Sequence, residues 1–278
     1  MKREWYTEWI NSIIKPMETD MLISIIPLFL HSNKNILQLL TNGILPSEIR
    51  RRQTFSNNLI NPLNDNLYQK LINNENGYKI TPQALTNTIT PIYKKHGNKI
   101  LQYQADKYNF NNQYKVNKTI ANKLATDFIA KQYPQIEQAQ LNNLNNIESR
   151  ISNGFKSQTE ENDYITKLSQ NQSKKFVIIA SNNVANKLLI VQMKTTYPTY
   201  RIRKGWISRK DARVRPAHKL ADKQYKAKKN LINIDDNFTV GGESLPYPTG
   251  GTKPENNINC RCVIGFLFNE KENEIPTS

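Results

Sequence analysis

The spacing of apolar residues changes once along this chain, and that change limits the fold more than any other feature. As far as Pro198 the apolar residues recur every three or four positions; beyond it they alternate. Helical stretches followed by a short run of strands predict an α+β fold. Trp5, Trp9, Ile10, Ile13 and Ile14 form one stripe. Asn35 to Leu40 reads as a short helix stopped by Gly43. Thr81-Pro82 is a start signal, a hydroxyl cap before a proline whose missing N–H does no harm in the first turn. Pro91 predicts a kink or restart on the way to Tyr108. A helix from about Tyr114 to Gln132 is expected to end before Pro134. The next carries Ile136, Leu141, Leu144, Ile147 and Ile151 on one face and stops at Gly154. Ser157 and Glu160 make a capping box. A further helix runs from Lys174 to Lys194 with Phe176, Ile179, Val184, Leu188 and Val191 inward.

After Pro198, the alternation through Tyr200, Ile202, Lys204 and Trp206 predicts a strand. Ser208 and Asp211 have the spacing of a second capping box, placing a helix of about two turns between Arg209 and Pro216. Phe238–Val240, Gly241-Gly242 and Glu243–Leu245 read as a hairpin. A Pro/Gly loop then leads to a buried strand from Val263 to Phe268. These elements predict a mainly helical N-terminal module over 1–155. A small domain follows over 156–268, a long helix packed on a short antiparallel sheet, with an acidic flexible tail over 269–278.

With 37% hydrophobic residues the 278-residue chain can build a core. The longest apolar stretch, Met21 to Leu30, carries Ser24 and Pro27 and falls short of the roughly 20 residues a membrane span needs, so no span is expected. Lys2 and Arg3 are followed at once by Glu4 and Glu8, unlike a secretory signal. Two cysteines two positions apart make no disulfide framework, which predicts reduced thiols in a cytoplasmic compartment.

The net charge is +16, and residues 201–230 alone carry twelve basic and two acidic groups. Five of the twelve are arginines: Arg201, Arg203, Arg209, Arg213 and Arg215. AT-rich coding accounts for abundant lysine and asparagine but not for an arginine cluster. Such a patch fits a polyanion, nucleic acid first, with a carboxylate-rich protein surface and a solvated face without a partner as equal alternatives. The expected nucleic-acid contacts are Arg201, Arg203, Arg209, Arg213, Lys226, Lys228 and Lys229.

His31 and His96 sit among polar residues and read as solvated. His218 closes the run Lys204-Gly205-Trp206, Asp211, Arg213, Arg215, His218, and downstream come Phe238, Gly242, Leu245, Tyr247-Pro248 and Asn259-Cys260-Arg261-Cys262. Trp206 reads as core and the Tyr247-Pro248 turn as structural. Asp211 reads as a cap. Arg213 and Arg215, two apart on a helix, point to different faces. Asp211 and Arg215 have ion-pair spacing, which leaves Arg213 to face a partner. Cys260 and Cys262 alternate on a strand and point the same way. Neighbouring core positions explain them; the alternatives are zinc held by His218, Cys260 and Cys262 with Asp211 or a water, and thiol chemistry. Neither a catalytic group nor a resident metal is the leading expectation.

The ordered set KGWISRKDARVRPAH, FTVGGESLPYP and NCRC resembles the C-terminal domain of the phage Mu F-like minor head proteins, also called head morphogenesis proteins. The strict match covers about 204–268, within a broader likeness over 174–268. Ala180-Ser181-Asn182-Asn183 stands where the family has an A-x-T-E helix, and Thr249-Gly250 where an acidic residue often follows the Tyr-Pro turn. The resemblance implies family-motif roles for Trp206, Asp211, Arg213, Arg215, His218, Phe238, Tyr247, Pro248, Asn259, Cys260, Arg261 and Cys262. It implies a minor capsid protein inside the virion, partnered by phage portal and capsid proteins, with host cytoplasm as the place of assembly. Non-specific contact with double-stranded DNA through 201–230 fits such a protein, since Lys and Arg neutralise phosphates without reading bases. The alternatives are a metal-independent nuclease or toxin-like enzyme using His218 with Arg213 or Arg215, and a free cytoplasmic DNA-binding protein.

Overall fold

The computed structural model describes residues 8–43, 79–108, 114–198 and 201–269. Trp5, Tyr200 and the acidic tail beyond Asn269 lie outside them. The fold is α+β. A π-helical stretch, Ile10–Ile14, leads into α1 (Lys15–Gly43), followed by α2 (Pro82–Tyr108), α3 (Lys118–Ser152) and α4 (Gln158–Thr196). Then come β1 (Arg201–Ile207), α5 (Pro216–Gln224), β2 (Ile232–Asn233), β3 (Phe238–Val240), β4 (Glu243–Leu245), α6 (Pro254–Asn257) and β5 (Val263–Asn269).

α1, α3 and α4 are longer than the sequence punctuation predicts, while α2 has the expected ends. Pro27, Pro91 and Pro134 lie inside α1, α2 and α3 and end none of them: the helix expected over Asn35 to Leu40 is the last part of one that starts at Lys15 and reaches Gly43, and the break expected at Pro134 does not occur. A mid-helix proline costs about 3 kcal/mol. Here buried side chains flank each one: Ile25 and Phe29, Ile89 and Tyr93, Phe128 and Ile136. Burying one such side chain is worth about 1.5–3 kcal/mol, so a stripe continued past the proline outweighs its cost. The helix expected from Lys174 likewise begins at Gln158. Two start signals hold. Thr81 Oγ1 accepts the Ala84 N–H, and Ser157 Oγ accepts the Glu160 N–H while Glu160 accepts that of Lys156.

The chain forms two compact units: Met1–Met21, Thr86–Lys131 and Lys175–Ser278 in one, Leu22–Leu85 and Gln132–Lys174 in the other. Neither is a continuous stretch, because α1 to α4 each contribute to both. The boundary expected between 155 and 156 falls within Gln132–Lys174 of the second unit.

In the second unit Ile36, Leu37, Leu40, Leu144, Ile147, Ile151 and Ile165 form the core. Buried amides add a polar layer: Asn143 donates to Asn33, Asn33 to Ser169, and Gln140 to Ser32.

In the first unit β1 lies between β2 and β5, antiparallel to both, with Trp206 opposite Ile264 and Lys204 opposite Phe266 and Ile232. β3 and β4 form the separate hairpin, and its Gly241 and Gly242 both have positive φ (57° and 70°). That is the backbone a tight two-residue turn demands. α5 packs against β1 and β3, around a core of Trp206, Ala221, Tyr225, Phe238, Val240 and Leu245 with both cysteines. Trp206, Phe238 and Tyr225 meet edge to face at 5.4 and 5.0 Å. His96 corrects the expectation of a solvated histidine. It is 2% exposed, with its Nε2 2.6 Å from Asp20. His31 is exposed, beside Asn35. Among the described residues α4 alone is long and apolar enough to cross a membrane, and 78% of its apolar stretch is buried inside the protein.

Candidate functional site

The segment 209–215 is not the helix that the Ser208/Asp211 spacing predicts. Lys210 has φ +59°, in the left-handed region, so no helix starts at Arg209. The Ser208 hydroxyl donates instead to Asp222, and Asp211 accepts the N–H of Arg213, two residues on. The segment is therefore a loop that turns its side chains toward one cleft. Arg215, extended at φ −61° and ψ 150°, then leads into α5, whose first residue is Pro216. His218, in the first turn, faces inward.

The two cysteines arrive from the other side. α6 ends at Asn257, and Asn259 adopts φ +56°, a conformation asparagine tolerates better than most residues. The extended backbone after it turns Cys260 and Cys262 inward and leaves Arg261 half-buried. Both sulfurs meet one ring nitrogen: His218 Nδ1 lies 3.6 Å from Cys260 Sγ and 3.5 Å from Cys262 Sγ. Each of the three residues is 2–3% exposed, and their donor atoms all lie within 4.8 Å of one another. The Trp206 ring stands edge to face against His218 at 5.4 Å. His218 Nε2 is buried with no hydrogen-bond partner.

The sulfurs are electrostatically unequal. The hydrogen bond from Cys262 and, against the effect of burial, the His218 ring hold the Cys260 thiol well below its ordinary range. The same sulfur pairing together with burial pushes the Cys262 thiol well above it.

A cleft of about 450 Å³ opens on these three residues, walled by Arg209, Asp211, Arg213, Arg215 and Arg261 with Ile178, Val214 and Asn259. Asp211 is the sole carboxylate among those wall residues, and it is engaged by Arg209 at 3.2 Å and Arg213 at 3.5 Å. The expected Asp211–Arg215 pair is thus replaced: Arg215 donates to the Ile258 carbonyl. That inward bond agrees with one arginine serving the domain and the other facing out, since the Arg213 side chain is 80% exposed. Asp211 stands outside the His218, Cys260 and Cys262 group, so the fourth ligand named with them is not supplied by it. Arg261 lies 3.6 Å from Glu18 of α1, whose carboxyl burial pushes up and Arg261 pulls down.

Of the seven expected nucleic-acid contacts, Arg209 and Arg213 wall the cleft. Arg201 is exposed and Arg203 half-buried on β1, and Lys226, Lys228 and Lys229 are exposed around the turn after α5. Lys204, part of the same basic run, is instead 1% exposed. It donates to the Pro246 carbonyl at 2.7 Å and sits 5.2 Å over the Phe238 ring. Burial lowers its pKa to about 8.

Two asparagines of α4 carry no expectation from the sequence and yet shape the site. Asn183 donates to the Thr249 carbonyl, while Asn186 faces the carbonyls of Pro248 and Cys262 and accepts the Ile264 N–H. They tie the Tyr247-Pro248 turn and the start of β5 to the helix. The available signal was their i, i+3 spacing, which puts both on one face of the helix. Compared with protein-family models, with curated proteins and with solved structures, the chain finds no match.

Proposed function

We propose that this chain is a phage minor capsid protein of the head morphogenesis type, associated with the portal inside the procapsid and contacting double-stranded DNA without sequence preference. It acts as a structural component rather than a catalyst. The observation that carries this reading is the convergence of the motif residues. Trp206 and Phe238 form the core beside which His218, Cys260 and Cys262 sit, and Asp211, Arg213, Arg215, Asn259 and Arg261 wall the cleft above them. Residues spread over more than fifty positions, matching a motif by accident, would have no reason to surround one cleft. Exposed Arg201, Lys226, Lys228 and Lys229 add a surface suited to phosphates.

The test is association. A portal gene directly upstream is expected. The tagged chain, expressed with that portal protein, should co-purify with it and enter the procapsids assembled in its presence. A chain found in the host cytoplasm but not in procapsids that otherwise assemble overturns the reading.

A further inference from the structure

We infer that His218, Cys260 and Cys262 form a zinc site with three protein ligands and a fourth position open to the arginine-walled cleft. The inference stands independently of the phage reading, because it rests on donor geometry alone.

A tetrahedral zinc ion with Zn–S of about 2.3 Å and Zn–N of about 2.0–2.1 Å separates its nitrogen and sulfur ligands by about 3.6 Å. The two nitrogen–sulfur distances here are 3.6 and 3.5 Å. Near-equality is the informative part. Nδ1 has one in-plane orbital, which can serve one sulfur as a hydrogen-bond partner but not both with good alignment. An ion between the three atoms is served by all of them at once. Both thiols are free and buried, so they are not withdrawn into a disulfide. Two thiolates and a neutral imidazole are the soft donor set that selects zinc over magnesium or calcium. They also neutralise its double charge, which allows the centre to lie beside Trp206 and Val240 without an uncompensated ion. As each Zn–S bond forms, the thiol S–H bond breaks and its proton leaves to solvent.

Asp211 is held by Arg209 and Arg213, so the fourth ligand comes from the cleft. Three protein ligands leave a tetrahedral zinc one exchangeable position. The guanidinium groups of Arg209, Arg213, Arg215 and Arg261 around that position favour an anionic oxygen: hydroxide, or the oxygen of a phosphate.

The full-length chain, purified reduced and stripped with chelator, is titrated with zinc and with cobalt. About one ion per chain is expected, with cobalt giving thiolate charge-transfer bands and tetrahedral visible absorption. Inorganic phosphate should shift the visible bands and leave the charge-transfer bands in place. Cys260→Ser, Cys262→Ser and His218→Gln should each lose uptake. Should these variants fail to fold, the wild-type chain still decides: zinc should protect both cysteines from alkylation. Folded wild-type protein that takes up no zinc, or whose cysteines alkylate equally fast with and without it, overturns the site. A cobalt spectrum indifferent to phosphate overturns the open fourth position.

Discussion

Asn186 engages both ends of its amide with backbone. Its Oδ1 accepts the Ile264 N–H at 3.1 Å and its Nδ2 faces the Cys262 carbonyl at 3.2 Å, all of it fully buried. Asn186→Ala strands both groups, at about 1–3 kcal/mol for each buried group left unsatisfied. The urea midpoint should fall by the corresponding amount with an unchanged slope; a midpoint within error of wild type would mean that water takes over both bonds. Lys204 gives a pH signature. Its pKa is about 8 in the folded protein against an ordinary 10.5, so between those values the unfolded chain holds more protons. Stability from this group therefore rises as pH increases from about 8 toward 10.5. Denaturant midpoints measured across that window should show the rise in the wild type and lose it in Lys204→Met. The role of Asn186 was not legible in advance. Lys204 shares the strand alternation of Ile202 and Trp206, which places it on the buried face, but its acceptor, the carbonyl of Pro246, lies 42 positions away.

At the scale of elements, β1 has a glycine where nothing larger fits. A Cβ on Gly205 would lie 2.6 Å from the Tyr225 carbonyl oxygen and 2.6 Å from a Leu231 methyl. The oxygen belongs to the backbone just after α5 and cannot swing away. Gly205→Ala should cost about 1–3 kcal/mol, the usual range for overpacking. Gly154 is the control: at φ +76° its Cβ would meet nothing within 4 Å, so Gly154→Ala carries only the strain of a left-handed alanine, about 1 kcal/mol. Thermal melts of the two variants rank them, and equal losses would refute the steric account. The elements written in local chemistry were readable from the sequence: the Thr81-Pro82 start, the Ser157 box, the Gly241-Gly242 hairpin. Those decided by distant partners were not. Ser208 and Asp211 have the right spacing for a cap, but the hydroxyl is claimed by Asp222 and the chain turns left-handed at Lys210. Pro134 misleads because burial on either side of it is a tertiary fact.

Over the whole molecule the charge is the accessible handle. If the exposed cations of 201–230 meet phosphates, binding to random duplex should weaken linearly on a log–log plot against salt. Replacing Arg213, Lys226, Lys228 and Lys229 by Ala should then reduce the slope by up to about 0.9 for each phosphate no longer neutralised. Fluorescence anisotropy across a salt series measures both slopes, and a variant with the wild-type slope would assign the patch to another partner. For the site, the sequence supplied the residue types and their order; the distances needed the fold, because His218 and Cys262 are separated by an entire hairpin.

Membership of the first unit also sets an order in time. Trp9, whose ring lies 5.4 Å from that of Tyr103, lines a recess completed by Ile264 and Phe266, and Glu18 pairs with Arg261. On a ribosome adding about 5–20 residues each second, the first of these surfaces emerges tens of seconds before the last. Tyr103 reaches Trp9 early, but the side of the recess that Ile264 and Phe266 supply is missing until β5 has emerged. For that interval the apolar recess beside Trp9 stays open on its β5 side.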